Sequence, residues 1–275
     1  MELIDCPHCG VQVVAAATGE CPSCRWSLHA QAPPQMDGQE PPRPWGAWTT
    51  LAFSLLVVGL FVVIEGIVAI VYLIANGAKP GVDFAAISEE YAAPLLVFPT
   101  WAAVPVCLLA ILFFVYLSGC PIRKYLALEP TSWRAMLTWL AAAVVFIAVA
   151  DTLTYLLGKP IVPEFSEQIY RVPFWRPFVW LTLLTFAPVF EETFFRGFMV
   201  AGLRRRWGPL AAVIISSLAW AALHIQYSAP LMGSIFLLGL LLGAARIQSG
   251  SLYPSLAMHA LANCVAAFEA AWYAR

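Results

Sequence analysis

The sequence predicts an all-α fold: a multi-pass transmembrane helical bundle of about seven spans, preceded by a small four-cysteine zinc ribbon. Three observations predict it. Apolar residues make up 61% of the 275 residues and charged residues only 11%, against about 45–50% and about 25% in soluble domains. The apolar residues fall in runs of about 20, the length a helix needs to cross a bilayer, separated by short polar clusters. Four of the seven cysteines stand in the first 24 residues, as two C-x-x-C knuckles. Such hydrophobicity excludes disorder for most of the chain. A net charge of −1 gives no bulk argument for nucleic acid.

The ribbon is expected over residues 1–30. Cys6 and Cys9 (CPHC) and Cys21 and Cys24 (CPSC) each offer two thiolates to one tetrahedral zinc, and the segment between them can form a hairpin, with VQVVA at 11–15 as one strand. A sheet this small needs the metal for its stability. Zinc is preferred over two disulfides or a thioredoxin-like redox pair because no βαβ pattern surrounds the knuckles. His8 reads as a bystander. Zinc thiolates favour a reducing compartment, which places this end in the cytosol. Residues 1–47 contain no apolar core of a signal peptide. Residues 31–47, with five prolines and two glycines, read as a linker. Trp45 and Trp48 then mark a membrane interface.

The transmembrane helical domain is expected over 48–275, with spans near 49–75, 94–118, 135–157, 177–199, 209–226, 230–247 and 252–272. An odd number of spans puts the termini on opposite sides. With the N-terminus inside, the cytosolic side carries nine basic residues: Arg25, Arg43, Arg123, Lys124, Arg134, Arg204, Arg205, Arg206 and Arg246. The outer side carries five: Lys79, Lys159, Arg171, Arg176 and Arg275. The bias predicts an integral membrane protein with a cytosolic N-terminus and an outer C-terminus. No internal repeat supports a repeat-built transporter.

Ionisable residues inside apolar segments cost roughly 2.5–3.5 kcal/mol on insertion scales, so each needs a reason. Glu65 and Asp151 are single acids, expected to pair with polar groups on neighbouring helices. Glu269 lies near a helix end and is expected to reach the interface. The others gather in the last four spans: Glu191, Glu192 and Arg196 in FEETFFRGF, His224 closing SSLAWAALH, His259 and Asn263 in MHALAN. Glu192 and Arg196, at i and i+4, share a helix face and can pair. His259 and Asn263 have the same spacing and can face one pocket. Glu191 points about 100° away from Glu192. Rise per residue returns Glu191 and His224 to nearly the same depth if the chain reverses near Arg204–Arg206. Pro188 is expected to kink the helix before Glu191. Polar glue between helices is the plainer account of such residues, but six in one half of the chain favour a functional site.

The order EExxxR, then a histidine ending an apolar helix, then HxxxN resembles the CPBP family. These are the CAAX-processing and bacteriocin-processing intramembrane proteases, also called type II CAAX endopeptidases or ABI proteins. The motifs read Glu191-Glu192-Thr193-Phe194-Phe195-Arg196, then Trp220 to His224, then His259 to Asn263. The resemblance spans about 177–265. One departure is visible: the family's FxxxH has Trp220 in place of phenylalanine here, a change that retains an aromatic.

The resemblance implies an enzyme, a peptidase that hydrolyses a peptide bond of a membrane-associated, CAAX-like protein or peptide. In that reading Glu191, as general base, and His224 activate a water. His259 and Asn263 donate hydrogen bonds to the oxyanion, and Glu192 with Arg196 holds the motif helix. Glu191, His224 and His259 are also a conceivable metal set with one open position. HExxH is absent, and a metal-independent glutamate mechanism is preferred. The ribbon zinc, on Cys6, Cys9, Cys21 and Cys24, is structural. Expected partners are the lipid bilayer, a membrane-associated substrate and a protein partner at the ribbon. Nucleic acid is not expected, since residues 1–47 lack a basic stretch. Two other functions stay open at this point: a non-catalytic scaffold or bacteriocin-immunity protein, and a small-solute transporter.

Overall fold

The structure is a computed structural model that describes residues 3–5, 12–14, 43–77 and 89–274. The chain divides into two units, Met1–Pro41 and Pro42–Arg275. In the first unit, strand β1 (Leu3–Asp5) pairs antiparallel with β2 (Gln12–Val14), with Ile4 opposite Val13. One strand therefore lies within VQVVA. Cys6, Cys9, Cys21 and Cys24 lie outside the described residues, as does the linker up to residue 42.

The second unit is helical. Helix α1 (Ala47–Ala75) and α2 (Glu89–Leu117) are followed by the short α3 (Ile122–Tyr125), then α4 (Trp133–Leu156) and α5 (Glu164–Tyr170). A 3-10 turn at Pro173–Trp175 leads into α6 (Arg176–Leu181), a π-helical turn (Thr182–Phe186) and α7 (Ala187–Glu191). A second π-helical stretch (Glu192–Met199) follows, then α8 (Val200–Ala222), α9 (Ala229–Ser249) and α10 (Tyr253–Tyr273).

Every expected span falls largely within helix, but the count by length and composition differs. Five stretches are long and apolar enough to cross a membrane: 47–75, 90–117, 133–156, 173–222 and 229–249. The fourth, 50 residues long, holds two expected spans. It breaks at Gly208, whose φ of 79° and ψ of 169° are not helical. Glycine adopts that conformation at little steric cost, and Pro209 then begins the return leg with the fixed φ a helix start needs. Helix α10 has the same length as α9 but is not among the five. His259, Asn263 and Glu269 lower its hydropathy.

The outward faces of α1 and α4 are apolar. Leu55, Val63, Ile67 and Val71 on α1, and Val145, Val149 and Leu153 on α4, are all exposed. Water would penalise such a surface, whereas acyl chains suit it. Inside, aromatic rings surround the second π stretch. Phe190 stacks on Phe61 of α1 with centroids 4.9 Å apart, and on Phe194 at 5.9 Å. This core holds the motif helix at the centre of the bundle.

At Pro188 the helix continues, with a local π-helical distortion rather than a break. The π turn directly precedes the residue, and the widened i→i+5 pattern absorbs the missing N–H and the ring's demand for space. The main break lies at Gly208 instead.

Candidate active site

Glu191 is the last residue of α7, and Glu192 opens the second π stretch. The two adjacent carboxylates take different environments. Glu192 and Arg196 are both fully buried, and Arg196 Nη1 donates to Glu192 Oε1 at 3.0 Å. This is the pairing the i, i+4 spacing predicts. Arg196 Nη2 also donates to the Gly239 carbonyl at 3.3 Å, and its guanidinium lies 4.4 Å from the centroid of the Trp220 ring. The approach requires glycine at 239. A Cβ there would stand 3.1 Å from Arg196 Nη2 and 2.9 Å from Ser217 Cβ.

Glu191 faces a cavity of about 570 Å³. The wall is largely apolar; its polar members include Glu65, Thr100, His224, Tyr227 and Asn263. Trp220, also on the wall, donates its indole N–H to Glu191 Oε2. The expected meeting of Glu191 with the return leg therefore occurs, with Trp220 one helical turn before His224 making the direct contact. The tryptophan in the FxxxH position is more than a retained aromatic, because phenylalanine has no donor there.

His224 stands just past the end of α8, and its backbone N–H donates to the Ala221 carbonyl at 3.0 Å. Its Nδ1 lies 2.8 Å from the Trp220 carbonyl. A carbonyl can only accept, so Nδ1 carries the proton and Nε2 is left to accept in the neutral ring. Tyr227 stacks against this imidazole, with centroids 6.1 Å apart. Burial pushes the Tyr227 hydroxyl above the usual tyrosine range; Ser166 pulls it down and Glu191 adds to the rise. Tyr227 thus presents an O–H to the cavity at neutral pH.

The structure separates the two residues of HxxxN. Asn263 is on the cavity wall, and its Nδ2 donates one proton to the Leu183 carbonyl at 2.8 Å, leaving the second available. The Leu183 carbonyl belongs to the first π turn. His259 is buried behind the wall, with 3% exposure. Its Nδ1 is 2.9 Å from Glu192 Oε1, and its Nε2 is 3.8 Å from Glu191 Oε2. The ring thus bridges the adjacent glutamates and sits 5.1 Å from the Trp220 ring, edge to face.

Two acids outside the motifs were expected to find polar partners. Glu65 Oε1 accepts from Thr100 Oγ1 at 3.3 Å, and Glu65 is also on the cavity wall, which its sequence context did not reveal. Asp151 makes no side-chain hydrogen bond among the described residues. Among the described residues, no three His, Cys, Asp or Glu side chains are gathered so as to hold a metal ion. His224 Nδ1 faces a backbone carbonyl, and His259 Nδ1 faces Glu192.

Comparison with known proteins bears on the same residues. Residues 173–265 match the family model of Rce1-like type II CAAX prenyl endopeptidases. The match falls in a chain with five stretches long and apolar enough to cross a membrane. The matched segment contains Glu191, Glu192, Arg196, Trp220, His224, His259 and Asn263. Glu65, Thr100 and Ser166 of the cavity wall stand outside it. The chain is also similar to a curated Escherichia coli protein named "Uncharacterized 24.3 kDa protein", with 38% identity over 133 residues. That alignment covers 44% of this chain and 58% of the relative. The chain thus spans little more than half the length of the curated relative it matches. No solved structure matches.

Proposed function

We propose that the chain is an intramembrane endopeptidase in which Glu191 acts as general base on a water held between its carboxylate and His224. The observation that carries this reading is the placement of Glu191. It is a carboxylate on the wall of an apolar cavity, with one oxygen held by the Trp220 indole. Its adjacent twin is occupied by Arg196 and His259. Such a division leaves one acid for chemistry and one for structure.

In this mechanism Glu191 takes a proton from the water as the water oxygen attacks the scissile carbonyl carbon. The second N–H of Asn263 donates to the developing oxyanion, with the Tyr227 hydroxyl as a further donor on the same wall. A preorganised donor of this kind lowers a barrier by roughly 3–4 kcal/mol. Proton transfer from Glu191 to the leaving nitrogen then accompanies cleavage of the C–N bond. His259 supports both carboxylates. Its Nδ1 engages Glu192, and its Nε2 lies beside Glu191, where it aligns that carboxylate. A positioned base contributes typically 10²–10⁴-fold. The apolar wall strengthens each charge contact by excluding water.

The glutamate mechanism needs no catalytic metal. The four ribbon cysteines would hold a structural zinc apart from this chemistry. The substrate is a membrane-associated protein or peptide. The test is hydrolysis of an apolar peptide by the purified full chain in detergent. Cleavage that persists in a strong chelator and vanishes in Glu191→Ala, with membrane insertion unchanged, is the expected result. Loss of cleavage on chelation, restored by zinc alone, would reassign Glu191, His224 and His259 as ligands.

A further inference from the structure

Among the described residues the cavity wall carries two carboxylates, and only one is used by the proposed chemistry. Glu65 comes from α1, outside the matched segment, yet shares the cavity with Glu191, His224 and Asn263. Its only hydrogen bond among the described residues is from the Thr100 hydroxyl, at 3.3 Å. A hydroxyl does not neutralise a carboxylate. No lysine or arginine is among the described residues on the cavity wall. Arg196, behind the wall, is already engaged by Glu192. A carboxyl kept in an apolar span without a cation is expensive to retain for packing alone, and such residues mark the paths of substrates and ions.

We infer that Glu65 is a specificity-determining residue that receives a cationic side chain, Lys or Arg, of the apolar segment entering the cavity. This rests on the endopeptidase reading and names the substrate class for that same site. The pairing supplies the charge that Glu65 lacks, and it sets which peptide bond lies against Glu191. The reverse follows from the same wall. A segment that carries a carboxylate into this cavity meets Glu65 and Glu191, with no lysine or arginine among the described wall residues to receive it. The preferred substrate is then a basic-flanked stretch of an apolar segment.

The experiment uses the full chain in mild detergent and three apolar peptides, acetylated and amidated at their ends. They differ at one internal position: Lys, norleucine or Glu. The Lys peptide should be cleaved with kcat/KM at least about tenfold above the norleucine peptide, the equivalent of about 1.4 kcal/mol. The Glu peptide should be the poorest of the three. Moving the Lys along the peptide should move the cleaved bond with it. In Glu65→Gln, which keeps an acceptor for Thr100, the Lys-to-norleucine ratio should fall to near one, chiefly through KM. A ratio unaltered in Glu65→Gln, or a Glu peptide cleaved as well as the Lys peptide, would overturn the assignment. Failure to cleave any peptide above the Glu191→Ala background would instead count against the endopeptidase reading. Binding then decides Glu65 separately. Decylamine should raise the melting temperature of the full chain more than decanoate does, and Glu65→Gln should abolish the difference. Equal shifts from the two amphiphiles in the wild-type chain would overturn it.

Discussion

The indole N–H of Trp220 donates to the Glu191 carboxylate, while the face of the same indole covers the Arg196 guanidinium at 4.4 Å. One side chain thus touches the candidate base and the ion pair that anchors the motif helix. Its ring also stands edge-on to His224 and His259, at 5.4 and 5.1 Å. The contact fixes the position of Glu191 without neutralising its charge, as an arginine would.

The first prediction concerns that contact. Trp220→Phe keeps a ring over Arg196 but removes the donor. A hydrogen bond to a charged group contributes about 1.5–3 kcal/mol. The variant should therefore fold and insert normally, and lose roughly ten- to a hundredfold in kcat by the same scale. Steady-state hydrolysis with a melting curve checks it. An unaltered kcat would remove Trp220 from the site.

The second contrasts the adjacent glutamates. Glu192→Gln removes the charge facing fully buried Arg196, and breaking a buried pair costs about 3–5 kcal/mol. Glu191→Gln keeps an oxygen for Trp220 and should destabilise far less. Thermal unfolding of both variants in detergent compares them. Equal losses, or a greater loss for Glu191→Gln, would contradict the division of roles.

The third follows from the close approach at Gly239. Gly239→Ala would push its Cβ into Ser217 and Arg196 Nη2. Overpacking of this kind costs typically about 1–3 kcal/mol. Adding Ser217→Gly should restore part of the loss, since Ser217 Cβ is the nearest obstacle at 2.9 Å. A double variant no more stable than Gly239→Ala would place the strain elsewhere.

The fourth concerns residues 1–30. The purified full chain should carry one zinc, released when Cys6 and Cys9 are changed to serine. Metal analysis of the two proteins decides it, and a wild-type zinc content of zero would remove the ribbon. Labelling of Cys6 by a membrane-impermeant thiol reagent should require cell lysis. Labelling in sealed cells would reverse the orientation.

Much of this arrangement is legible in the sequence, for reasons tied to distance along the chain. The apolar segments announce themselves because each needs only its own composition. Glu192 with Arg196 is readable because both lie on one helical face. The partners of His259 and Asn263 are not, since i, i+4 spacing gives a shared face and says nothing of what lies opposite. They part company in the structure: one reaches Glu192 and the other the Leu183 carbonyl. Trp220 is hidden by the hairpin. The break at Gly208 sets which turn of α8 meets Glu191, and counting residues gives no sign that Trp220 makes the direct contact. Glu65 is hidden by tertiary distance. Nothing around it in α1 shows that the helix lines the same cavity as α7 and α10.

The most direct test is hydrolysis by the purified full chain in water enriched in heavy oxygen, followed by mass spectrometry of the products. The expected result is peptide cleavage with one heavy oxygen in each newly formed carboxylate. The rate should fall by at least about 10²-fold in Glu191→Ala, the scale of a lost general base. Cleavage at the wild-type rate in Glu191→Ala, or a purified chain that cleaves no membrane peptide at all, would contradict it.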